Sequence, residues 1–316
     1  MFLESTVITL ADWYHTPALA GPSLPRPDTT LISGKGRWGS DPTADLAVIN
    51  VAAGNRYRFR LVSISCDPQF DFSIDGHSLT IIEADGVSTE PYTVDKLTIF
   101  AGQRYSFILE ANQNVGNYWI RALPNIQSIR GQRFENGVNS AILRYDTAPD
   151  AEPTTFELSN PTVLNEADLR PFVTTPAVGV HELGAADINL TLNMTFQNGA
   201  FSINNATFIP SNNMSVLLQI LSGARTPQEL LPAGSVIELE RNRVVELTIP
   251  ALAVGGPHPM HLHGHTFQVI RSAGSNQLNW DNPISRDVVS SGTSGSIVIR
   301  FTTDNPGPWI LHWYVS

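Results

Sequence analysis

Cysteine and lysine are almost missing from this sequence of 316 residues, which has one cysteine, Cys66, and two lysines, Lys35 and Lys96. A single cysteine excludes a disulfide within the chain. Charged residues make up 15% and the net charge is −10, which argues against nucleic acid and anionic membranes as partners because phosphates repel an acidic surface. No apolar run approaches the roughly 20 residues of a membrane-spanning helix. The first residues lack the basic start and apolar core of a signal peptide.

Turn-forming and strand-forming residues are plentiful instead, with 23 glycines and 22 prolines among many Val, Ile, Thr and Asn. In the stretch Tyr57–Ser65, apolar residues alternate with arginines, and a period of two is typical of a half-buried strand. Asp-Gly pairs at Asp75 and Asp85 supply turns between such stretches. The pattern predicts an all-β sandwich or barrel. The predicted strands of the first half are Thr6–Leu10, Leu46–Val51, Tyr57–Ser65, Phe70–Ile74, Leu79–Glu83, Leu97–Ala101, Tyr105–Glu110, Tyr118–Ala122 and Ala141–Tyr145.

A proline-rich stretch from Asp146 to Pro176 interrupts the strand pattern and predicts a linker laid across the surface. We therefore expect a β domain at 1–150, a linker at 151–176 and a second β domain at 177–316. Within the second domain, Thr226–Leu231 has a proline at the first helical position and predicts one or two helical turns.

Four N-glycosylation sequons begin at Asn189, Asn193, Asn205 and Asn213. Such a cluster indicates a glycosylated protein of secreted ancestry.

Four of the eight histidines lie in one octapeptide, His258-Pro-Met-His-Leu-His-Gly-His265. Because alternate residues of a strand share a face, His261 and His263 should project together. Strand pairing can bring His312 beside His263. Imidazole is the commonest neutral metal ligand and suits copper or zinc, so the cluster predicts a metal site. Three isolated histidines are expected to be structural: His15, His77 and His181.

The octapeptide closely resembles the third copper motif of the basidiomycete laccases, which are fungal blue multicopper oxidases. The resemblance covers essentially the whole chain. It implies an all-β chain of two cupredoxin-like Greek-key β-sandwich or barrel domains, domains 2 and 3 of a laccase, with the second incomplete. Other stretches that look like the family are Thr9–His15, Asn50–Val62, Phe72–His77, Asn117–Ala122 and Asp304–Trp309.

The resemblance also implies an activity. Laccases pass single electrons from phenols or aromatic amines, through a type 1 copper, to a trinuclear cluster that reduces O2 to water. They hold four coppers, are secreted and usually monomeric, and break down lignin or other phenolics.

Residue by residue, His258 matches a type 1 copper ligand and His261 a type 2 ligand. His263 and His312 match type 3 ligands. Asp67 matches an acidic residue that meets the phenol or arylamine and accepts its proton. The alternative for Asp67 is a turn residue that precedes a proline.

The chain departs from the family at its last motif, where Trp313 stands in place of the type 1 cysteine and Tyr314 in place of a type 3 histidine. An indole N–H is a donor without a ligand lone pair, so it cannot replace a thiolate. Cys66 matches a disulfide cysteine whose partner lies in the family's first domain, and His265 matches a histidine that binds no copper. No stretch matches the first two copper motifs. We therefore expect a truncated laccase that lacks domain 1 and does not oxidise phenols alone.

Three further hypotheses remain. The chain is a non-catalytic copper-binding or interaction fragment, or it is a two-domain oxidase that completes its clusters by trimerising. The trimer needs a second His-x-His pair and a cysteine near the C-terminus, and this sequence has neither. Separately, TG followed by the intron donor GTATGT encodes Trp-Tyr-Val, so residues 313–316 are explained by translated intron.

Overall fold

Strands dominate the structure, as the alternation in the sequence predicts. The computed structural model describes residues 5–17, 27–66, 69–125, 134–197, 200–209, 214–251 and 256–313. The first eleven strands are β1 (Ser5–Trp13), β2 (Thr29–Ile32), β3 (Val48–Val51), β4 (Arg56–Ser63), β5 (Gln69–Ile74), β6 (Leu79–Ala84), β7 (Val87–Val94), β8 (Lys96–Ile99), β9 (Arg104–Glu110), β10 (Asn117–Asn125) and β11 (Ser140–Tyr145). The later elements are β12 (Ile188–Thr191), β13 (Met194–Gln197), β14 (Ala200–Ile203), α1 (Val216–Leu221), α2 (Pro227–Leu230), β15 (Val244–Pro250), β16 (Pro259–Leu262), β17 (Phe267–Arg271), β18 (Ser285–Arg286), β19 (Val288–Ser290), β20 (Ser296–Thr302) and β21 (Leu311–Trp313).

The first eleven strands form two facing sheets, which we call the N-terminal sandwich. The sheet orders are β2-β1-β4-β9-β6-β7 and β3-β11-β10-β5-β8. Strand β4 buries Tyr57, Phe59 and Leu61 while its arginines stay partly exposed, because neighbouring side chains of a strand point to opposite faces. Rings from the two sheets meet in the core, where the centroids of Phe72 and Phe107 lie 5.9 Å apart.

The remaining strands form three sheets, which we call the C-terminal sheets. A five-stranded sheet runs β12-β15-β20-β17-β18, a three-stranded sheet runs β19-β16-β21, and β13 pairs with β14. The buried core of β15, β17 and β20 is mostly Val, Ile and Phe, residues that fit a pleated surface. The all-β class predicted from the sequence is therefore confirmed.

The segment between β11 and β12 contains no strand, and most of residues 146–176 are exposed, but two leucines anchor it to the N-terminal sandwich. Leu164 and Leu169 are buried, and the Leu164 N–H donates to the Lys96 carbonyl at 2.9 Å. A 3-10 turn spans Glu166–Asp168. This segment covers edges of β7 and β8, which satisfies strand groups that would otherwise be left exposed. The domain boundaries at 150 and 176 stay a prediction.

Outside the strands, the predicted helical turn and the predicted Asp85-Gly86 turn are present, and one further helix is found. The predicted helical turn is present as α2, with Thr226 as its N-cap and Pro227 at the first helical position. Helix α1 was not predicted, although Ser215 caps it by accepting from the Leu218 N–H. The predicted turn at Asp85-Gly86 has positive φ at both residues, 48° and 85°, which is the geometry of a type I′ hairpin. Among the described residues, no helix has the length and apolar character needed to cross a membrane.

Candidate metal centre

The histidine motif lies on the three-stranded sheet, with β16 between β19 and β21 and both neighbours antiparallel to it. His312 lies opposite His261, and Trp313 lies opposite Met260. Since side chains alternate along each strand, one face of the sheet presents imidazoles and the other presents apolar groups. Met260 and Leu262 are buried on the apolar side.

The imidazole face comprises His261, His263 and His312. The ring centroids of His261 lie 4.6 Å from His263 and 5.6 Å from His312. The Nε2 atoms of His263 and His312 are 3.0 Å apart. His263 follows the end of β16 and is held there by its N–H, which donates to the Ile310 carbonyl at 3.0 Å. The structure thus brings together three histidines singled out from the sequence.

One nitrogen of His261 has a partner that fixes its proton. His261 Nδ1 lies 2.7 Å from the main-chain carbonyl of Asp287, and a carbonyl oxygen only accepts. Nδ1 therefore carries the proton and Nε2 keeps its lone pair, which is the form that binds a metal.

The pKa values of two imidazoles of this face, those of His263 and His312, are lowered. Burial lowers the pKa of the His263 imidazole, and the nearby His261 lowers it further. Burial also lowers the pKa of His312, opposed by a hydrogen bond with the Trp313 carbonyl and helped by the other two imidazoles. Because a histidine binds a metal in its neutral form, through the ring nitrogen that carries no proton, the lowered pKa values of His263 and His312 favour the form that binds a cation.

Copper fits this donor set. The three residues each offer a ligand atom, and these atoms lie within 4.8 Å of one another. Two imidazole nitrogens on one ion lie at most about 4 Å apart, because each metal–nitrogen bond is about 2 Å. The His263 and His312 nitrogens therefore lie close enough to share an ion. Neutral imidazoles without carboxylates suit copper better than calcium or magnesium.

The apolar face comprises Met260, Leu262, Leu311 and Trp313, which pack with the hydrophobic core. His258 belongs to this side: its ring centroid lies 6.0 Å from that of Trp313. Phe201 stacks edge-on against Trp313 at 5.3 Å and lies 6.0 Å from His258. The structure thus separates His258 from the imidazole face, and an indole lies beside it.

Other predicted residues lie elsewhere. His265 packs against Phe301 and Trp309 after a turn at Gly264, where φ is +71° and a Cβ would overlap the Trp309 ring. His77 is buried between the Asp75 carbonyl at 2.8 Å and the Tyr145 hydroxyl at 2.7 Å. Asp67 lies outside the described residues.

The sequence did not single out Asp287, which supplies the acceptor for His261. No motif marks such a residue, because its contribution is a main-chain carbonyl that any residue carries. Its carboxylate is gripped by both Nη atoms of Arg104, at 2.6 and 2.8 Å.

Comparison with known proteins places these features in one family. Sequence models described as multicopper oxidase match residues 4–148 and 206–314. The laccase of Phlebia radiata is 57% identical over 318 residues, covering 99% of this chain and 61% of that protein. Laccase-2 of Pleurotus ostreatus is 58% identical over 315 residues, covering 98% of this chain and 58% of that protein.

Solved structures agree. The crystal structure of the laccase from Botrytis aclada has a TM-score of 0.80 at 30% identity, covering 98% of this chain and 60% of that chain. The chain thus spans about three fifths of the length of these relatives. With the imidazole face, the cupredoxin-like sandwiches and the relatives in agreement, the chain belongs to the multicopper oxidase family.

Proposed function

We propose that this chain supplies part of the copper cluster of a laccase-type oxidase, an enzyme that oxidises phenols or aromatic amines by one electron and reduces O2 to water. The observation that carries the proposal is the convergence of three imidazoles on one face of a sheet, with ligand atoms within 4.8 Å of one another. Bound copper supplies the electron transfer, for which protein side chains have no equivalent.

The roles of the residues follow their positions. His261 is assigned to a type 2 copper, and His263 and His312 to type 3 copper. Each offers one ring nitrogen to the cluster, and the paired strands β16 and β21 fix the spacing of His261 and His312. His258, on the other side of the sheet, is assigned to a type 1 site.

The substrate side of the proposal rests on Asp67. Its carboxylate is proposed to hydrogen-bond the phenol or arylamine and to accept its proton as the electron leaves. This role comes from the likeness to laccases.

An extracellular location is part of the same proposal. Three of the four sequon asparagines, Asn189, Asn193 and Asn205, are exposed, and glycosylation requires such exposure. The fourth, Asn213, lies outside the described residues.

A copper titration tests the proposal. The chain is titrated with Cu(II), and bound metal is followed by elemental analysis and electron paramagnetic resonance. Replacing His263 with alanine should lower the affinity at least about 10-fold, because a ligand is lost from the cluster. His15→Ala is the matched control, since His15 pairs with Asp28 and stacks on Trp38 instead. Equal copper binding by wild type and His263→Ala would contradict the proposal.

The same preparation tests the expectation that the chain alone does not oxidise phenols. With Trp313 beside His258, no thiolate is available there and no intense blue band should form. O2 uptake with a phenolic dye precursor, together with a strong blue absorption, would overturn that expectation.

A further inference from the structure

Two ion pairs join the N-terminal sandwich to Arg286 and Asp287 of the C-terminal sheets. The main-chain carbonyl of Asp287 is the hydrogen-bond partner of His261 Nδ1. The turn before β7 contributes Asp85 and the start of β9 contributes Arg104. Arg286 is the last residue of β18, and Asp287 lies between β18 and β19. Arg286 Nε donates to Asp85 Oδ2 at 2.7 Å, and Arg104 grips the Asp287 carboxylate with two bonds, at 2.6 and 2.8 Å. We call these four residues the clamp.

The base of the clamp is buried and hydrogen-bonded. The side chains of Asp85 and Arg286 are 0% and 1% exposed. Burial alone would lower the pKa of Arg286, but the carboxylates of Asp85 and Glu166 outweigh burial and raise that pKa well above its ordinary value. The main-chain N–H of Arg104 donates to Asp85 Oδ1 at 2.9 Å. Asp85 therefore contacts both arginines of the clamp. A two-bond arginine–carboxylate contact also fixes direction, because both partners are planar forks.

The clamp holds the hydrogen-bond acceptor of His261, a proposed copper ligand. Asp287 is held by its side chain through Arg104, and its neighbour Arg286 is held through Asp85. The carbonyl of Asp287 therefore has a fixed direction, and His261 Nδ1 donates to it at 2.7 Å. Histidine ligands of metals commonly depend on such a partner for their tautomer and ring rotation.

We propose that Arg104 and Asp287 are positioning residues for the copper ligand His261. Through the clamp, the N-terminal sandwich holds this imidazole in the Nδ1–H tautomer, with Nε2 facing His263 and His312. Copper affinity at the imidazole face then depends on contact between the sandwich and the C-terminal sheets. The inference rests on the proposed copper-binding function of these histidines.

The test replaces Arg104 with lysine, which keeps the charge and removes the planar fork. Loss of a partner behind a metal ligand typically lowers metal affinity about 10- to 100-fold, and we expect a fall in that range for Cu(II). The control is Arg58→Lys, because Arg58 pairs with Glu83 at 2.7 Å inside the N-terminal sandwich. Its copper affinity should equal that of wild type. Unchanged affinity in Arg104→Lys would overturn the proposal.

A metal-free measurement separates this inference from the proposed function. Nitrogen chemical shifts of ¹⁵N-histidine-labelled chain report the tautomer of each ring. His261 should be the Nδ1–H tautomer in wild type and a mixture of tautomers in Arg104→Lys. An Nε2–H tautomer in wild type would overturn the inference even if copper binds.

If copper binding proves independent of His263, the proposed function fails, but the tautomer result still decides whether the clamp positions His261. If Arg104→Lys does not fold, Asp287→Asn replaces it, because asparagine keeps the shape and the carbonyl while weakening the grip of Arg104. A wild-type tautomer pattern in Asp287→Asn then counts against the proposal, and a mixed pattern supports it.

Discussion

The two faces of the β19-β16-β21 sheet differ completely in chemistry although they share the same backbone. On one face, His261 and His312 lie opposite each other and their rings face a third imidazole. On the other face, Met260 lies opposite Trp313 and both pack with the core. Alternation along a strand thus places apolar side chains on one face of a short segment and imidazoles on the other. The comparison predicts that mutations on the two faces affect different properties.

The largest effect on folding is expected from Met260→Ala on the apolar face. Met260 is fully buried, and truncating such a side chain lowers the free energy of unfolding by about 2–5 kcal/mol through lost burial and a cavity. Urea denaturation measures the change. Met214→Ala is the control, because Met214 is 42% exposed and exposed changes usually stay within about 0.5 kcal/mol. A fall in the copper affinity of the folded Met260→Ala chain would contradict the prediction that mutations on the two faces affect different properties.

On the imidazole face, the expected effect is on stabilisation by copper. A ligand that binds only the folded chain at a hundred times its Kd stabilises it by about 2.7 kcal/mol. A 10-fold loss of affinity in His312→Ala should reduce that gain to about 1.4 kcal/mol or less while changing the metal-free stability little. The control is His181→Ala, since His181 stacks on Trp280. Thermal denaturation with and without Cu(II) gives the answer, and a copper-induced shift retained in full in His312→Ala would contradict the assignment.

His77 lies in the N-terminal sandwich, and its buried imidazole can be compared with the three on the imidazole face. Burial lowers the pKa of His77 from its ordinary 6.5, although contacts with Asp75 raise it. Below about pH 6.5 the unfolded chain takes up a proton that the folded chain excludes, so stability is lost as the pH falls towards the folded pKa. One such group contributes a slope of at most about 1.4 kcal/mol per pH unit.

We expect His77→Gln to be less stable at pH 7 but to lose less stability than wild type between pH 7 and pH 5. Denaturation at a series of pH values measures both slopes. Equal slopes would show that His77 is protonated equally in the folded and unfolded chains.

The smallest effect is expected at Trp313. The residue lies at the edge of the apolar face and remains partly exposed. Trp313→Phe retains an aromatic contact with Phe201, so the loss of stability should be about 1 kcal/mol. Copper binding at the imidazole face should not change. A loss comparable to that of Met260→Ala would show that Trp313 is a central core residue.

The sequence predicted those parts of the fold that follow from alternation. The burial pattern of β4 is the period of two seen at Tyr57, Phe59 and Leu61. The expectation that His261 and His263 share a face also follows from alternation along a strand. The Thr226–Pro227 start of α2 was also readable, because capping residues act within one turn.

The ion pairs between distant segments could not be predicted from the sequence. Asp85 and Arg286 are separated by 201 positions, and ion pairs between distant segments leave no periodic trace. The same holds for Arg104 and Asp287, 183 positions apart. The sequence thus singled out the three histidines that the fold brings together, whereas the residues behind His261 could be identified only from the fold.

The clamp has a consequence for the order in which the protein matures. Its halves come from segments about two hundred positions apart in the chain, so it closes only after both segments have folded and met. A newly made chain in which the sandwich has not yet docked has His261 without its fixed acceptor. On the proposed role of Arg104, tight metal loading is therefore a late step of biogenesis, and copper supplied early is held loosely until the two halves come together.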